Sequence, residues 1–461
     1  MRCSRLARLL VAVLILTTVL GSSGIALGQR ITAANNDLSI TVYNQGLGLV
    51  KEIRRIHVDS GITNVTVSDV AAQLDPTSVH FRSLSNASTQ VLEQNFEYDL
   101  VNQSRLLERY LGQEIELIDD NNTSRRVTLL AHQGGNLVVM EGDRIVIDPP
   151  GRIRLPRLPD GLIIRPTLMW LVSSQTAGPQ LVELTYLTRG ISWYADYVGV
   201  LTPSGELALS GWVTLENNSG KSYENANLQL VAGDINLVSD SQVRPENLLV
   251  QRAQAPYTAQ PQFVEENLFE YHLYTLDRRT TIKDRQIKQI GLLSCDSAET
   301  DTVYLLENNV WYNGSSPIKV MLQTENSEAN GLGIPLPQGK VRLYQADSSG
   351  ELQFIGEDSI EHTPKDEVLR LHVGNAFDIR GEVTTLGSRE ITKDTKDVTR
   401  QVIIRNHKEE AITVVVTEKI WGTWELLEAK EEYRIPDANT LEFTVSIEPG
   451  EEKRFTYRIL L

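Results

Sequence analysis

One stretch of alternating apolar and polar residues, 183–233, limits the fold of this chain more than any other. Every second residue is apolar from Ile191 to Tyr197, and the pattern continues to either side. Side chains with a period of two lie on one face of a β-strand, so the stretch predicts strands with one buried face. Asn217–Gly220 interrupts the pattern before it resumes, which favours an antiparallel hairpin within a β-sandwich.

The same pattern recurs along the chain and predicts an all-β, multi-domain protein built of antiparallel β-sandwiches. Short apolar segments spaced about 8 to 10 residues apart favour a small SH3-like barrel in the N-terminal half. The predicted organisation is a signal peptide (1–28), an N-terminal β module (29–104), a small β-barrel (105–165), a central β-sandwich (166–378) interrupted by a linker (243–267), and a C-terminal immunoglobulin-like β-sandwich (379–461).

Two predicted hairpins define the C-terminal module. One turns at Asn406–Lys408 and the other at Pro449–Gly450, and apolar residues alternate on both sides of each turn. Two such hairpins in one short module favour an immunoglobulin-like sandwich. The first turn and its flanking strands resemble the strand, Asn-containing turn and strand around 217–222. This similarity indicates either two related sandwiches or two unrelated hairpins.

The N-terminus predicts export. Three arginines precede an apolar run, Leu9–Leu20, and Ala26–Gly28 places small residues where a signal peptidase cleaves. We expect cleavage before Gln29 and a periplasmic, cell-surface or extracellular protein without a membrane span. The alternative is an uncleaved N-terminal anchor, because Leu9–Gly28 contains no charged residue.

Charge and cysteine content exclude several classes of function. The chain has 60 acidic and 44 basic residues, a net charge of −16, which opposes binding to nucleic acid. Cys3 lies in the predicted signal peptide, so the exported chain keeps one cysteine, Cys295, and cannot form an intramolecular disulfide. Cys295 follows an apolar run, which favours a buried core residue over a reactive thiol.

The segment Ser219–Ser222 has the sequence Ser-Gly-Lys-Ser, like the end of a phosphate-binding loop. That loop needs a glycine where this chain has Leu215, and it needs a helix where this chain predicts a strand. We therefore interpret the segment as a hairpin turn. A nucleophile elbow with the pattern Gly-x-Ser-x-Gly is also absent from the sequence.

Two weak metal-site hypotheses remain. His362 and His372 could meet across a hairpin and bind zinc together with Asp366 or Glu361. The favoured interpretation is a loop histidine and a strand histidine with no metal. Two acidic turns, Asp119–Asn122 and Asp347–Gly350, could hold calcium, but tight turns select the same residues. The sequence assigns no cofactor, metal or catalytic residue.

Seven aromatic residues offer a candidate sugar-binding platform: Trp170, Trp193, Tyr194, Trp212, Trp311, Trp421 and Trp424. Trp193 and Trp212 lie in strand patterns and are predicted to be core residues. Trp421 and Trp424 are the better candidates for an exposed pair, because Gly422 separates them in a turn. The favoured interpretation even for this pair is a position at the rim of a core. Glycoside hydrolysis would require two carboxylates converging in a cleft, which sequence alone does not locate.

Several long motifs together resemble a known family. They are RGISWYADYVGVL with LSGWVTLENNSGKSYENANLQLVAG, the stretch from NGLGIPLPQGKVRLYQ to HVGNAFDI, VIIRNHKEEAITVVVTEKIWGTWEL and FTVSIEPGEEKRFTYRI. Over about residues 180–461 the chain resembles the bacterial domain of unknown function found at the C-terminus of mucoidy-inhibitor-like exported proteins. The resemblance implies a β-rich envelope protein and brings no catalytic residue or cofactor. The coiled coil that precedes the domain in those members has no counterpart here.

Together these features predict an exported cell-envelope protein with a non-enzymatic structural or interaction role. Its expected partner is another envelope protein or a glycan, not a nucleic acid. The alternatives are an envelope hydrolase that acts on glycan and a carbohydrate-binding protein that uses Trp421 and Trp424.

Overall fold

A computed structural model describes most of the chain after the predicted signal peptide. The described residues are 37–97, 103–119, 121–133, 135–157, 165–233, 235–237, 262–393 and 395–461. The predicted signal peptide and residues 243–261 of the predicted linker lie outside them. The rest of that linker includes a strand, Phe263–Leu268.

Within the described residues the chain is almost entirely β-strand, with one α-helix, α1 (Gln103–Arg109), and two short 3-10 helices, Pro76–Ser78 and Glu328–Asn330. The strands of the first half are β1 (Leu38–Tyr43), β2 (Leu47–Val58), β3 (Gly61–Ser68), β4 (His80–Ser83), β5 (Gln90–Glu97), β6 (Glu114–Ile118), β7 (Ser124–Gln133), β8 (Asn136–Glu141), β9 (Arg144–Ile147), β10 (Arg152–Arg154), β11 (Thr167–Ser174), β12 (Gly178–Arg189), β13 (Ile191–Leu201), β14 (Leu207–Asn217) and β15 (Tyr223–Ala232).

The strands of the second half are β16 (Phe263–Leu268), β17 (Tyr271–Leu276), β18 (Thr280–Ile282), β19 (Gln286–Ala298), β20 (Asp301–Asn309), β21 (Gly314–Ser316), β22 (Lys319–Glu325), β23 (Gly339–Ala346), β24 (Leu352–Ile360), β25 (Val368–Asn375), β26 (Ile379–Thr392), β27 (Thr395–Asn406), β28 (Ile412–Lys419), β29 (Glu425–Ala429), β30 (Tyr433–Asp437), β31 (Thr440–Ile447) and β32 (Glu452–Leu460). The all-β, multi-domain sandwich fold predicted from the sequence is confirmed.

The first sandwich is built around an eight-stranded sheet in the order β16-β17-β15-β1-β2-β12-β4, with β18 added beside β15. It shares one hydrophobic core with a five-stranded sheet, β19-β14-β13-β23-β24, and a three-stranded sheet, β3-β11-β5. The predicted alternation is confirmed on β13, where Ile191, Trp193 and Tyr197 are buried in this core. Strands β1 to β5 belong to these sheets, so the predicted N-terminal β module shares its core with the predicted central sandwich.

The second sandwich pairs a six-stranded sheet, β25-β22-β20-β28-β31-β30, with a five-stranded sheet, β21-β26-β27-β32-β29. These sheets enclose a separate core in which Phe443 lies against Phe455 and Tyr457. Strands β20 to β22 and β25 precede the predicted module boundary at residue 379. Tyr304 and Leu306 of β20 are buried in the same core, so this sandwich begins earlier in the chain than the sequence pattern indicated.

All three hairpins predicted at 217–222, 406–408 and 449–450 are wrong. The strands on either side of each turn lie in different sheets, so each turn carries the chain across a core and not back along its own sheet. A hairpin within one sheet and a turn that crosses to the other sheet give the same period-two pattern. In either arrangement a strand buries one face, whether the next strand pairs beside it or packs opposite it. Alternation therefore predicted the strands and not their partners.

The two sandwiches share one strand plan. In the first, β1 pairs in parallel with β15, and β14 lies between β13 and β19. In the second, β20 pairs in parallel with β28, and β27 lies between β26 and β32. The crossing turns match as well, since Asn217 and Asn406 make corresponding hydrogen bonds. This agreement supports the interpretation as two related sandwiches.

A small five-stranded sheet, β10-β6-β7-β8-β9, is inserted between β5 and β11. Helix α1 packs on it, and Leu107 and Tyr110 share a core with Ile115 and Leu129. Barrel closure is not confirmed, because β9 and β10 are not hydrogen-bonded to each other within the described residues.

We expect Gly356→Ala to destabilise the protein where the two sandwiches meet. Gly356 lies on β24, and a Cβ added there would lie 2.2 Å from the carbonyl oxygen of Val373 on β25. Relieving that overlap should cost about 1–3 kcal/mol of unfolding free energy, measured by urea denaturation. Gly374→Ala is the matched control, because a Cβ at Gly374 has no neighbour within 4 Å. Equal stability of the two variants would contradict this prediction.

Candidate functional site

The turn Ser219–Ser222 holds a buried ion pair. The Nζ of Lys221 lies 3.3 Å from Oε2 of Glu52 and donates to the carbonyl oxygen of Asp69 at 2.5 Å. The Arg54 guanidinium donates to both Glu52 carboxylate oxygens at 2.9 Å. Burial lowers the pKa of Lys221, while the Glu52 carboxylate opposes that shift. The charges therefore join the crossing turn to β2 and to the loop after β3.

The same turn cannot act as a phosphate loop. The backbone N–H of Gly220 donates to Asp284 Oδ1 at 2.9 Å, and the Ser219 hydroxyl is hydrogen-bonded to Asn217 Oδ1 at 2.7 Å. Gly220 has φ +81°, and a Cβ there would lie 2.4 Å from the Cβ of Ala72. Glycine, serine and lysine in this segment are thus explained by packing and by the ion pair.

A second buried charge lies inside the second sandwich. Arg400 of β27 is fully buried and donates to Asn313 Oδ1 at 2.9 Å and Thr385 Oγ1 at 2.8 Å. It also donates to the carbonyl oxygen of Tyr312 at 2.7 Å. These bonds are made by the two terminal nitrogens of the guanidinium, while its Nε has no hydrogen-bond partner within the described residues. They attach the turn after β20 to the interior of the sandwich.

The acidic partner of Arg400 is Glu418 of β28. One carboxylate oxygen of Glu418 lies 3.9 Å from the guanidinium and accepts a hydrogen bond from Asn308 at 3.2 Å. Its other oxygen and the Tyr457 hydroxyl have no hydrogen-bond partner within the described residues. Burial raises the pKa of Glu418 more than Arg400 lowers it.

Exposed aromatic residues gather at one end of the second sandwich. Strands β20 and β28 are parallel and adjacent, with Asn309 opposite Lys419. The indoles of Trp311 and Trp421, each two residues beyond its strand, are 58% and 64% exposed. Because parallel strands end at the same edge, both tryptophans belong to the same end of the sheet.

An open groove of about 510 Å³ lies beside Trp421. We call it the Trp424 groove; its lining residues are Gly422, Thr423, Trp424, Glu425, Leu426, Tyr433, Ile435 and Ala438. The residues come from β29, β30 and the turns next to them, at the edges of the two sheets. Trp424 is half-buried and donates its indole N–H to the Ala438 carbonyl at 2.8 Å. Tyr433 and Ile435 are exposed.

The sequence predicted part of this site. Trp421 is exposed, whereas Trp424 forms a groove wall and packs partly on the core, which is the rim-of-core position that the sequence favoured. The sequence placed Trp311 in the wider group of candidate platform aromatics without singling it out, and it did not include Tyr433. Trp311 is distant in sequence and reaches the site through the parallel pairing of β20 with β28, for which the local sequence has no signal.

The structure places the two candidate zinc histidines in separate hydrogen-bonding environments. His362 Nδ1 accepts from the backbone N–H of Gln338 at 3.1 Å, and His372 Nε2 lies 3.1 Å from the Gly374 carbonyl oxygen. Across the described part of the chain, no group of three or more His, Cys, Asp or Glu side chains is arranged to hold a metal.

The two acidic turns use their carboxylates internally. Asp119 accepts hydrogen bonds from the backbone N–H groups of Asn121 and Thr123, while Asp120 lies outside the described residues. Asp347 accepts from Ser349 and Gln353, and these bonds lower its pKa to about 2. The carboxylates thus stabilise tight turns.

The remaining sequence candidates lie mostly in the core. Cys295 is buried, as predicted, and burial raises the pKa of its thiol. Trp193 is buried and donates its indole N–H to the Val231 carbonyl at 3.2 Å. Trp212 differs from the prediction, since it is partly exposed on the outer face of β14.

Comparison with known proteins gave no relative: no family model matches the chain, and no curated protein matches it. Among the described residues, no helix has the length and apolar character required to span a bilayer.

Replacing Lys221 should be strongly destabilising. Lys221→Met removes one of the two positive charges that neutralise the buried Glu52 carboxylate. We expect a loss of about 3–5 kcal/mol in unfolding free energy. Lys365→Met is the matched control, because Lys365 pairs with Glu328 in solvent, and its loss should leave the urea midpoint nearly unchanged. A similar effect of both variants would show that the buried pair does not stabilise the fold.

Glu418 should give stability an unusual pH dependence. Its raised pKa means that the folded state takes up a proton at higher pH than the unfolded chain does. The unfolding free energy of the wild type, relative to Glu418→Gln, should therefore rise as pH falls from neutrality toward about 4.3, the ordinary glutamate pKa.

The control variant for this experiment is Glu328→Gln. Lys365 lowers the pKa of Glu328, so the wild-type advantage over this variant should shrink as pH falls. Urea unfolding at several pH values measures both differences. A wild-type advantage over Glu418→Gln that shrinks in acid would contradict the assignment of Glu418.

Proposed function

We propose that this protein is an exported cell-envelope protein that binds neutral glycan at the Trp424 groove without cleaving it. The observation that supports this proposal is the exposure of Trp421, 64%, beside a groove walled by Trp424 and Tyr433. Large exposed aromatic surfaces on folded proteins commonly mark binding sites.

One wall of the groove is held in place. Gly422 adopts φ +96°, a left-handed conformation that favours glycine, and it sets the turn between the two tryptophans. The hydrogen bond from Trp424 to Ala438 fixes the indole of Trp424. Because this side chain is already ordered, a ligand loses little affinity to the ordering of this wall.

The chemistry of the groove favours a neutral sugar. Hexopyranoses with equatorial substituents, such as glucose and N-acetylglucosamine, have flat C–H faces that stack on aromatic rings and hydroxyls that hydrogen-bond at their edges. Trp424 and Tyr433 provide such rings in the groove and Trp421 provides one in the turn before it, while Thr423 and Glu425 provide polar groups in the lining. The net charge of −16 disfavours polyanionic ligands.

The same lining favours binding over hydrolysis. Glycoside hydrolysis uses two carboxylates on opposite sides of the scissile bond. Glu425 is the one carboxylate among the described residues that line the groove. Export is supported by the N-terminal sequence, and an envelope role is consistent with the family resemblance of residues 180–461.

Trp421→Ala should weaken glycan binding by about tenfold or more, because it removes a stacking surface without disturbing the core. The measurement is a glycan array followed by calorimetric titration with glucose and N-acetylglucosamine oligomers. Phe269→Ala is the control, since Phe269 is 88% exposed but lies at a turn of the first sandwich. The absence of wild-type binding to neutral glycans, or unchanged binding by Trp421→Ala, would overturn the proposal.

A further inference from the structure

The turn after β20 is rigid although it presents its aromatic side chains to solvent. Arg400 binds the Tyr312 carbonyl at 2.7 Å and Asn313 Oδ1 at 2.9 Å from inside the sandwich. Asn313 Oδ1 also accepts from the backbone N–H of Thr385 at 2.6 Å, and the Tyr312 hydroxyl donates to the Ser315 carbonyl at 2.9 Å. Trp311 nevertheless remains 58% exposed.

Burying an arginine is costly, because a guanidinium removed from water loses its hydration. The acceptors supplied to Arg400 include a backbone carbonyl and a side chain of this one surface turn. The interior of the sandwich is thus arranged to fix the position of residues 311–313. A turn that served only as a connection would not require this buried support.

The turn also lies in line with the Trp424 groove. Trp311 follows β20 and Trp421 follows β28, and the backbone N–H of Val310 donates to the Lys419 carbonyl at 3.2 Å. Adjacent strands are about 4.8 Å apart. The sheet continues from β28 through β31 to β30, whose Tyr433 and Ile435 line the groove. The order across this end is therefore Trp311, Trp421, groove.

We propose that the Trp311–Tyr312 turn is a second saccharide subsite, so that the ligand is a glycan chain and not a single sugar. This inference rests on the proposed function of the Trp424 groove. A single sugar covers one aromatic ring, whereas a chain can stack on Trp311 and Trp421 while one of its residues occupies the groove. Contacts made by one connected ligand reinforce each other, so affinity rises with chain length.

The test is a calorimetric titration of the full protein with N-acetylglucosamine and glucose oligomers of one to six residues. The wild type should bind the long oligomers at least about tenfold more tightly than the short ones. Trp311→Ala should abolish this increase and leave the affinity for the short oligomers unchanged. Trp421→Ala should weaken binding at every length, and Phe269→Ala should change neither.

A second variant tests the buried support. Asn313→Ala removes an acceptor from Arg400 and Thr385 without touching the exposed indole, and it should reduce the increase with chain length. Thermal unfolding checks that each variant is folded.

The outcomes separate the two proposals. Affinity that does not rise with length, or a rise that survives in Trp311→Ala, overturns the second subsite and leaves the groove in place. Failure of the wild type to bind any oligomer overturns the glycan assignment itself. Binding of tetramethylammonium in place of sugars would assign the aromatic end to cations and overturn both proposals.

Discussion

A buried asparagine in each sandwich carries the chain from one sheet to the other, and the topology of the protein depends on it. The side-chain N–H₂ groups of Asn217 and Asn406 donate to the carbonyls of Lys221 and Glu410, both at 2.8 Å. Their side-chain oxygens accept from the backbone N–H two residues on. Without these bonds, buried backbone groups would lose partners at about 1–3 kcal/mol each. Where the chain leaves its sheet, the side-chain amides therefore supply hydrogen bonds that a neighbouring strand would otherwise supply.

Two buried cations attach surface turns to the interior of the protein. Lys221 follows Asn217 and attaches the first crossing turn to Glu52, whereas Arg400 attaches the turn after β20 to the second core. Such ion pairs are weak sources of stability compared with apolar packing, but removing one partner is strongly unfavourable. The main effect of these buried cations is to hold the two turns in position, which sets the residues that face outward.

The aromatic end of the second sandwich results from both features. The crossing turn at Asn406 places β28 in parallel beside β20, so the residues that follow these strands meet at one edge. Arg400 then fixes the turn that presents Trp311. In the first sandwich the equivalent strands β1 and β15 are also parallel, but the two residues that follow each strand in sequence include no tryptophan. The shared strand plan thus presents exposed tryptophans at the end of one sandwich only, through its turn residues.

The sequence by itself determined the strands and the all-β class and marked Trp421 and Trp424 as candidates, because a period of two and a glycine turn are local properties of the chain. It did not determine which strands pair. The sequence predicted hairpins at 217–222, 406–408 and 449–450, and each of these turns crosses between sheets. Alternation shows that one face of a strand is buried, but it does not show which strand pairs with it. It also did not show that Lys221 and Arg400 are buried, or that Trp311 and Tyr433 join Trp421 and Trp424. Those contacts span large distances in sequence, and only the tertiary packing of the two sheets brings them together.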